Sequence, residues 1–404
     1  MSQQHYQKPN MPLYRLTQGV SYIAERILFR RKFMRNELKG KKGPIVVIAN
    51  HQAALDFINL IGATREPMTF VISNSFYSTL PFKGIMDKIG VIPKQQFQTS
   101  IKDIHAMKAV VDENQILVIY PAGLMCEDGL STPIPEATYR FLKWMHADVY
   151  MAKTYGTYFC TPKWSSKRRR GKTYIDIYKL VSKEELATME EDELHTRVND
   201  ALFFDAYREQ ERLMIPYKHG DNVEGLENVL YVCPNCKQEF TIYTSNSIIG
   251  CSACGFVEES DKYGFLHKKG DTGTDVRYVS DWSRQIYSDL KSRVESGESI
   301  SLTLPTRIMT VDKKKNKFVD SGNGSITWQD GHILLSGELN GEKTELDINA
   351  SAFASLPFKP GKYVEVQHGQ DIYRCMLEDG KQVMKLINLI KINYELFQRT
   401  HAHV

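Results

Sequence analysis

The sequence predicts an α/β domain built on a mainly parallel sheet flanked by helices, then a small cysteine-rich ribbon, then a β-rich C-terminal domain. Three observations carry this. Short apolar runs alternate with helical or loop segments through residues 44–180, the pattern of a parallel sheet with covering helices. Residues 229–262 carry two Cys-x-x-Cys pairs. From Ser299 to Leu377 many short strands are broken by turn signals such as Ser321-Gly322-Asn323-Gly324 and Gln329-Asp330-Gly331. A chain of 404 residues exceeds one ordinary domain. The expected boundaries are 1–220 for the α/β domain, 228–262 for the ribbon, 263–298 for a linker with a helix over 279–296, and 299–404 for a β-barrel-like domain closed by a helix.

Taken in order, Leu13, Leu16, Val20, Ile23 and Ile27 step by 3 and 4, a helical apolar stripe. Arg26, Arg30, Arg31, Lys32, Arg35, Lys39, Lys41 and Lys42 follow closely. Two arrangements need the same stripe. One lays the helix on an anionic membrane surface; the other packs it on its own domain with a solvated basic end. Expected strand runs are Ile45–Ala49, Thr69–Ile72, Ile116–Tyr120, Val149–Ala152 and Tyr174–Tyr178, before a charged helical stretch from Lys183 to Met214. The last helix, Lys381 to Phe397, shows Val383, Leu386, Ile387, Ile390, Tyr394 and Phe397 on one face.

Hydrophobic content of 42% and charged content of 25% fit a soluble globular protein. The sequence has no uncharged apolar stretch long enough for a membrane span and no signal peptide with an apolar core. The expected location is cytoplasmic, peripherally associated with the inner face of the membrane. A net charge of +4 says little about partners.

The chemistry concentrates at Asn50-His51, where the apolar run Ile45–Ala49 stops, with Asp56 five positions after the histidine. Open α/β sheets place active sites at such carboxyl ends of strands. Spacing alone is weak evidence: with 11 His about one His-x4-Asp arises by chance. His195 and Asp200 repeat it on a charged helix face and read as inert. Positions five apart on a helix lie about 140° apart. His51 must therefore sit in the turn before the helix, with Asp56 one turn inside it pointing back. The carboxylate then bonds one ring nitrogen, fixes the tautomer and leaves the other nitrogen as a base. The alternative is a structural histidine capping a helix.

Asn50-His51-Gln52-x-x-x-Asp56 resembles the first motif of the glycerolipid acyltransferases, which acylate glycerol 3-phosphate and lysophosphatidate. Phe82-Lys83-Gly84 through Val91-Ile92-Pro93 looks like the stretch leading into their second motif. Tyr120-Pro121-Ala122-Gly123 stands where they have Phe-Pro-Glu-Gly, and Phe159 to Trp164 resembles the region of their fourth motif. The resemblance covers residues 10–215. It implies that His51 is a general base oriented by Asp56, deprotonating an acceptor hydroxyl that attacks an acyl thioester of coenzyme A or acyl carrier protein. It implies substrate-binding positions at Asn50, Lys94, Pro121 and Gly123. It implies a lysolipid acceptor and an acyl thioester donor as partners. There is no Gly-x-Ser-x-Gly elbow and no Cys placed beside a His, so no covalent nucleophile is indicated; Cys126 and Cys160 read as small buried residues.

The departures concern the acceptor. Ala122 and Met125 stand where the family has Glu and Arg, and Lys94 with Gln95-Gln96 replaces a second-motif Arg. A lysine lacks the bidentate guanidinium fork. Either the acceptor lacks the usual phosphate, or other cations (Lys94, Lys163, the run Lys167-Arg168-Arg169-Arg170) take over, or the protein binds lipid and catalyses poorly. Glu127 and Asp128 are candidates to replace the missing Glu.

Cys233-Pro234-Asn235-Cys236 and Cys251-Ser252-Ala253-Cys254-Gly255 form Cys-x2-Cys-x14-Cys-x2-Cys. Two such knuckles offer four thiolates to one ion, structural zinc, with iron as the alternative. Glu224, Glu227, Glu239, Glu258, Glu259 and Asp261 make the neighbourhood acidic, which argues against nucleic acid. The strand-rich C-terminal region with its closing helix resembles a pleckstrin-homology-like barrel.

Overall fold

The structure is a computed structural model describing residues 6–80, 82–96, 100–217, 222–270, 276–312, 314–315, 317–369 and 371–401. The chain divides into two compact units, residues 1–162 with 168–219 and residues 163–167 with 220–404.

In the first unit the described strands are β1 (Lys32–Asn36), β2 (Ile45–Ala49), β3 (Met68–Ser73), β4 (Ile92–Lys94), β5 (Ile116–Ile119), β6 (Asp148–Tyr155) and β7 (Tyr174–Val181). They form one sheet in the order β1-β7-β6-β2-β5-β3-β4, in which β6–β7 is the antiparallel pair. The predicted α/β class with a mainly parallel sheet is what forms. β1 and β4 were not anticipated. β1 reads as a basic tail, because Lys32, Phe33, Met34 and Arg35 are all exposed and show no period-2 burial. The stretch Lys183–Met214 is three helices, Lys183–Thr188, Glu191–Leu202 and Ala206–Leu213.

β2 is central, and all five of its residues are buried. Its side chains alternate between the faces. Val46 and Ile48 join a cluster with Leu117, Ile119, Val149 and Met151. Ile45, Val47 and Ala49 join another with Ile116, Val118, Tyr150 and Ala152. Each fully buried aliphatic side chain contributes about 1.5–3 kcal/mol, so β2 anchors whatever leaves its carboxyl end. From β2 the chain crosses β5 to reach β3; from β5 it crosses β2 to reach β6. The direction of winding reverses between β2 and β5, which opens a crevice at their carboxyl ends.

The N-terminal helix α1 (Met11–Leu28) is capped by Asn10, whose side chain accepts from the Leu13 N–H at 3.2 Å. Its polar face points inward. Tyr14 Oη accepts from the Met68 N–H at 2.8 Å, Gln18 Nε2 donates to the carbonyls of Ile61 (3.0 Å) and Thr64 (2.8 Å), and Arg15 donates to the Arg65 carbonyl. The buried Glu25 accepts from the Arg31 N–H at 2.6 Å. The apolar stripe points outward: Leu16, Val20, Ile23 and Ile27 are 61–67% exposed. Of the two arrangements the sequence allowed, packing of this stripe on its own domain is therefore not the one adopted.

In the second unit, β8 (Ile242–Ser245), β9 (Ile248–Cys251), β10 (Val257–Ser260) and β11 (Leu266–Lys268) make an antiparallel sheet in the order β11-β10-β9-β8. The helix Val279–Glu295 follows. Then β12 (Leu302–Asp312), β13 (Lys317–Gln329), β14 (His332–Leu339), β15 (Glu342–Asn349), β16 (Phe358–Lys359), β17 (Tyr363–His368) and β18 (Asp371–Leu377) form an antiparallel sheet in the order β15-β14-β13-β12-β18-β17-β16. The closing helix, Val383–His401, buries Val383, Leu386, Ile387 and Ile390 completely. Asp330-Gly331 is a hairpin turn as expected, both residues at positive φ. Ser321-Gly322-Asn323-Gly324 is not a turn but lies inside β13. Its glycines permit close approach of β14, since a Cβ at Gly322 would meet the Glu338 carbonyl oxygen and one at Gly324 that of Ser336, both at about 2 Å.

The cysteine-bearing sheet, the helix Val279–Glu295 and the C-terminal sheet fall within one compact unit. Trp282 Nε1 donates to the Val232 carbonyl at 2.8 Å. Glu239 accepts from Lys385 at 2.6 Å and from Arg293 at 3.3 Å, and Lys381 Nζ donates to the carbonyls of Phe240 and Ile242.

Candidate active site

The chain leaves β2 at Ala49 and turns through Asn50-His51-Gln52 before the helix α2 (Asp56–Ile61) begins. Asp56 opens that helix, so its carboxylate faces back into the turn. Its Oδ2 lies 3.0 Å from His51 Nδ1 and accepts from the backbone N–H groups of Gln52 (2.7 Å) and Ala53 (2.9 Å). The Asp56 side chain is fully buried and the His51 side chain 21% exposed. A carboxylate only accepts, so Nδ1 carries the proton and Nε2 is left with its lone pair. This is the chemical arrangement of a general base.

The turn is braced on every side. Asn50 is buried and clamps β6: its Nδ2 donates to the Thr154 carbonyl at 2.9 Å, and its Oδ1 accepts from the Thr154 N–H at 2.7 Å. This commitment of both amide atoms makes Asn50 a brace for the turn, where the motif suggested a substrate contact. Gln52 Oε1 accepts from Thr157 Oγ1 and the Tyr158 N–H. The His51 carbonyl accepts from the Cys126 N–H at 3.2 Å.

Across the crevice, β5 delivers Tyr120, Pro121, Ala122 and Gly123 in a turn closed by the Gly123 N–H on the Tyr120 carbonyl at 2.9 Å. Gln96, just past β4, donates to the Gly123 carbonyl at 2.7 Å. Lys94, at the end of β4, is partly buried; burial pulls its ammonium below the ordinary lysine value, opposed by Asp103. The Tyr120 and His51 rings lie 4.6 Å apart, centroid to centroid. Burial pushes the Tyr120 phenol well above its ordinary value, and Asp56 adds to that. Cys126 and Cys160 are buried, and desolvation lifts both thiols, Cys160 to about 12, so neither is a poised nucleophile.

Several of the other cations named from the sequence are engaged structurally. Arg168 donates to the Ile27 and Leu28 carbonyls and so caps the end of α1. Arg169 is 4% exposed. Lys167 pairs with Glu224 at 3.1 Å, and Lys163 Nζ sits 3.3 Å from the centre of the Phe358 ring. Within the basic run 167–170, helix capping and burial have absorbed Arg168 and Arg169, while Lys167 and Arg170 stay exposed. His195 bonds Glu136 and Asn199, consistent with its reading as inert.

In the second unit the Sγ atoms of Cys233, Cys236, Cys251 and Cys254 lie within 4.8 Å of one another, with Cys233–Cys254 at 3.7 Å and Cys236–Cys251 at 3.8 Å. Four sulfurs about 2.3 Å from one ion stand about 3.8 Å apart at the corners of a tetrahedron. The four residues therefore fit a tetrahedral thiolate metal site. Each knuckle closes on a left-handed residue after its second cysteine, Lys237 (φ 62°) and Gly255 (φ 73°). Asn235 Nδ2 donates to Cys254 Sγ, and Thr241 Oγ1 lies 3.2 Å from Cys251 Sγ, contacts that favour thiolate.

Residues 30–165 match the family model described as Acyltransferase, in agreement with the resemblance read from the His51 motif. Among solved structures the chain is similar to the 1-acyl-sn-glycerophosphate (LPA) acyltransferase PlsC from Thermotoga maritima, with 16% identity over 47% of this chain and 76% of that one and a TM-score of 0.40. No curated protein matches the chain.

Proposed function

We propose that this protein is an O-acyltransferase moving a fatty acyl group from an acyl thioester to the hydroxyl of a glycerolipid. The observation that supports this best is His51, its Nδ1 held by Asp56 and its Nε2 unencumbered, at the carboxyl end of β2 inside the acyltransferase-family segment. Nε2 takes the proton of the acceptor hydroxyl. The oxygen attacks the thioester carbonyl carbon, the C–S bond breaks as the tetrahedral adduct collapses, and the imidazolium returns its proton to the leaving thiolate. The donor is acyl-CoA or acyl carrier protein, and the reaction needs no covalent enzyme intermediate. Lys94, Pro121 and Gly123 line the acceptor side, and Asn50 positions the base.

Two acceptor classes follow. Lysophosphatidate suits the family. The structural engagement of Lys163, Lys167, Arg168 and Arg169 favours an acceptor without a phosphate. The outward stripe of α1 and the basic residues after it act as a peripheral contact with the inner face of a membrane. Among the described residues no helix is long and apolar enough to cross one. The cysteine site holds structural zinc, with iron as the alternative, and the strand order of the C-terminal sheet, with its closing helix, supports a pleckstrin-homology-like barrel.

The test is thioester release from palmitoyl-CoA with a lysolipid mixture that includes neutral and phosphate-bearing acceptors. His51→Ala is expected to lose about 10²–10⁴-fold in rate. Equal rates for His51→Ala and the parent would leave a lipid-binding or scaffold protein as the reading.

A further inference from the structure

The Asp56 bond fixes the imidazole at one atom only. A ring held by a single Nδ1–H···O contact can still pivot about that axis and sweep Nε2 away from an incoming hydroxyl. The second restraint comes from the neighbouring strand. β2 and β5 are hydrogen-bonded partners, with Ile48 opposite Ile119, so the residues leaving their carboxyl ends emerge side by side. The chain places Tyr120 there, ring centroid 4.6 Å from that of His51 and planes 36° apart. This is a tilted ring-on-ring contact, which blocks the pivot from one side.

We propose that Tyr120 is a positioning residue for the base, its ring face fixing the His51 imidazole and stabilising the imidazolium formed when Nε2 accepts the hydroxyl proton. The aromatic face carries negative charge density, so it favours the ring more when that ring is cationic. The contact therefore strengthens as the proton is transferred and relaxes when the proton passes to the departing thiolate. The face supplies this effect, and the phenol oxygen is not required. The inference rests on the acyl-transfer reading for its kinetic consequence, but the ring restraint itself exists whatever the reaction.

The experiment uses the full chain with Tyr120→Leu, which removes the ring, and Tyr120→Phe, which keeps it. With palmitoyl-CoA and the lysolipid mixture, Tyr120→Leu is expected to lower kcat about 3- to 30-fold with KM for palmitoyl-CoA within about twofold, the size of an aromatic-face contact with a cation. Tyr120→Phe is expected to restore most of that loss. In parallel, nitrogen NMR of ¹⁵N-histidine-labelled protein, assigned by loss of the signal in His51→Ala, reports the ring directly. The parent and Tyr120→Phe should show one sharp pair of ring-nitrogen signals, and Tyr120→Leu a pair shifted or exchange-broadened by the pivoting ring. An unchanged ring signal in Tyr120→Leu, or a Tyr120→Phe as impaired as Tyr120→Leu, overturns the proposal. Failure of the acyl-transfer reading looks different: parent and His51→Ala then release thioester equally, while the NMR comparison still decides the role of Tyr120. If Tyr120→Leu does not fold, Tyr120→Met with the same two readouts replaces it.

Discussion

Replacing Asp56 by Asn separates the charge behind the base from support of the fold. In the parent, one carboxylate oxygen accepts three hydrogen bonds, from His51 Nδ1 and the backbone N–H groups of Gln52 and Ala53. An asparagine that keeps its carbonyl oxygen on the two backbone donors also keeps it on His51 Nδ1, because all three bonds converge on one oxygen. The tautomer and the turn survive, and what is lost is the negative charge that stabilises the imidazolium as Nε2 takes the proton. A base weakened in this way is expected to slow the reaction by about 10²–10⁴-fold, or about 3–5 kcal/mol of transition-state stabilisation. The structural cost is smaller. Hydrogen bonds to a charged acceptor contribute about 1.5–3 kcal/mol each and to a neutral one about 0.5–1.5. Two weakened backbone bonds therefore cost about 2–3 kcal/mol. Asp56→Ala instead leaves two buried donors unpaired, at about 2–6 kcal/mol. The assay pairs thioester release with urea unfolding. A folded Asp56→Asn that turns over at the parent rate would refute the charge argument; a rate loss that merely tracks the unfolded fraction would refute the separation of the two roles.

Three further outcomes are expected. Val20→Glu with Ile23→Glu, on the exposed face of α1, should change stability by no more than about 0.5 kcal/mol while lowering binding to anionic vesicles at least about tenfold; unchanged sedimentation with vesicles would remove the membrane role. Plasma mass spectrometry should find about one equivalent of zinc, lost in Cys251→Ser together with a lower melting temperature, whereas a metal-free parent would remove the site. Burial lifts Glu209 from its ordinary 4.5 to about 7, against the opposing pull of Lys153 and Arg212. Its neutral form is the one the fold prefers, so this stability is present below about pH 4.5 and is lost as the pH rises through about 7. The loss is at most about 3 kcal/mol. Glu209→Gln should remove that slope from the pH dependence of the urea midpoint; parallel curves for parent and variant would refute it.

The geometry around His51 was readable because two local rules act together. A buried run stops, and the helical repeat forbids an i, i+5 contact within one helix, so the histidine belongs to the turn. The cysteine knuckles were readable for a similar reason, since short spacing constrains short-range geometry. What escaped the sequence depends on distant partners. The stripe of α1 was plain, but which face turns inward depends on Tyr14, Gln18 and Glu25 finding the Met68 N–H, the carbonyls near residues 61–64 and Arg31. The basic run looked like a surface because nothing local says that Arg168 reaches the end of a helix more than a hundred residues earlier. The Ser321–Gly324 segment carries turn residues, yet its glycines answer to the neighbouring strand rather than to a chain reversal.

The inverted packing of α1 has a kinetic consequence. An amphipathic helix that hides its apolar side must be released before it can meet a lipid interface, and adsorption then saturates at the rate of that opening. Here the fastenings are hydrogen bonds on the opposite side, and Arg168 secures the far end. If this face is the membrane contact proposed above, encounter with a bilayer requires no rearrangement of the domain, and the observed on-rate should rise linearly with vesicle concentration to the mixing limit. On the same proposal, adsorption would leave the fastenings intact, and the crevice between β2 and β5 would keep its shape at the surface.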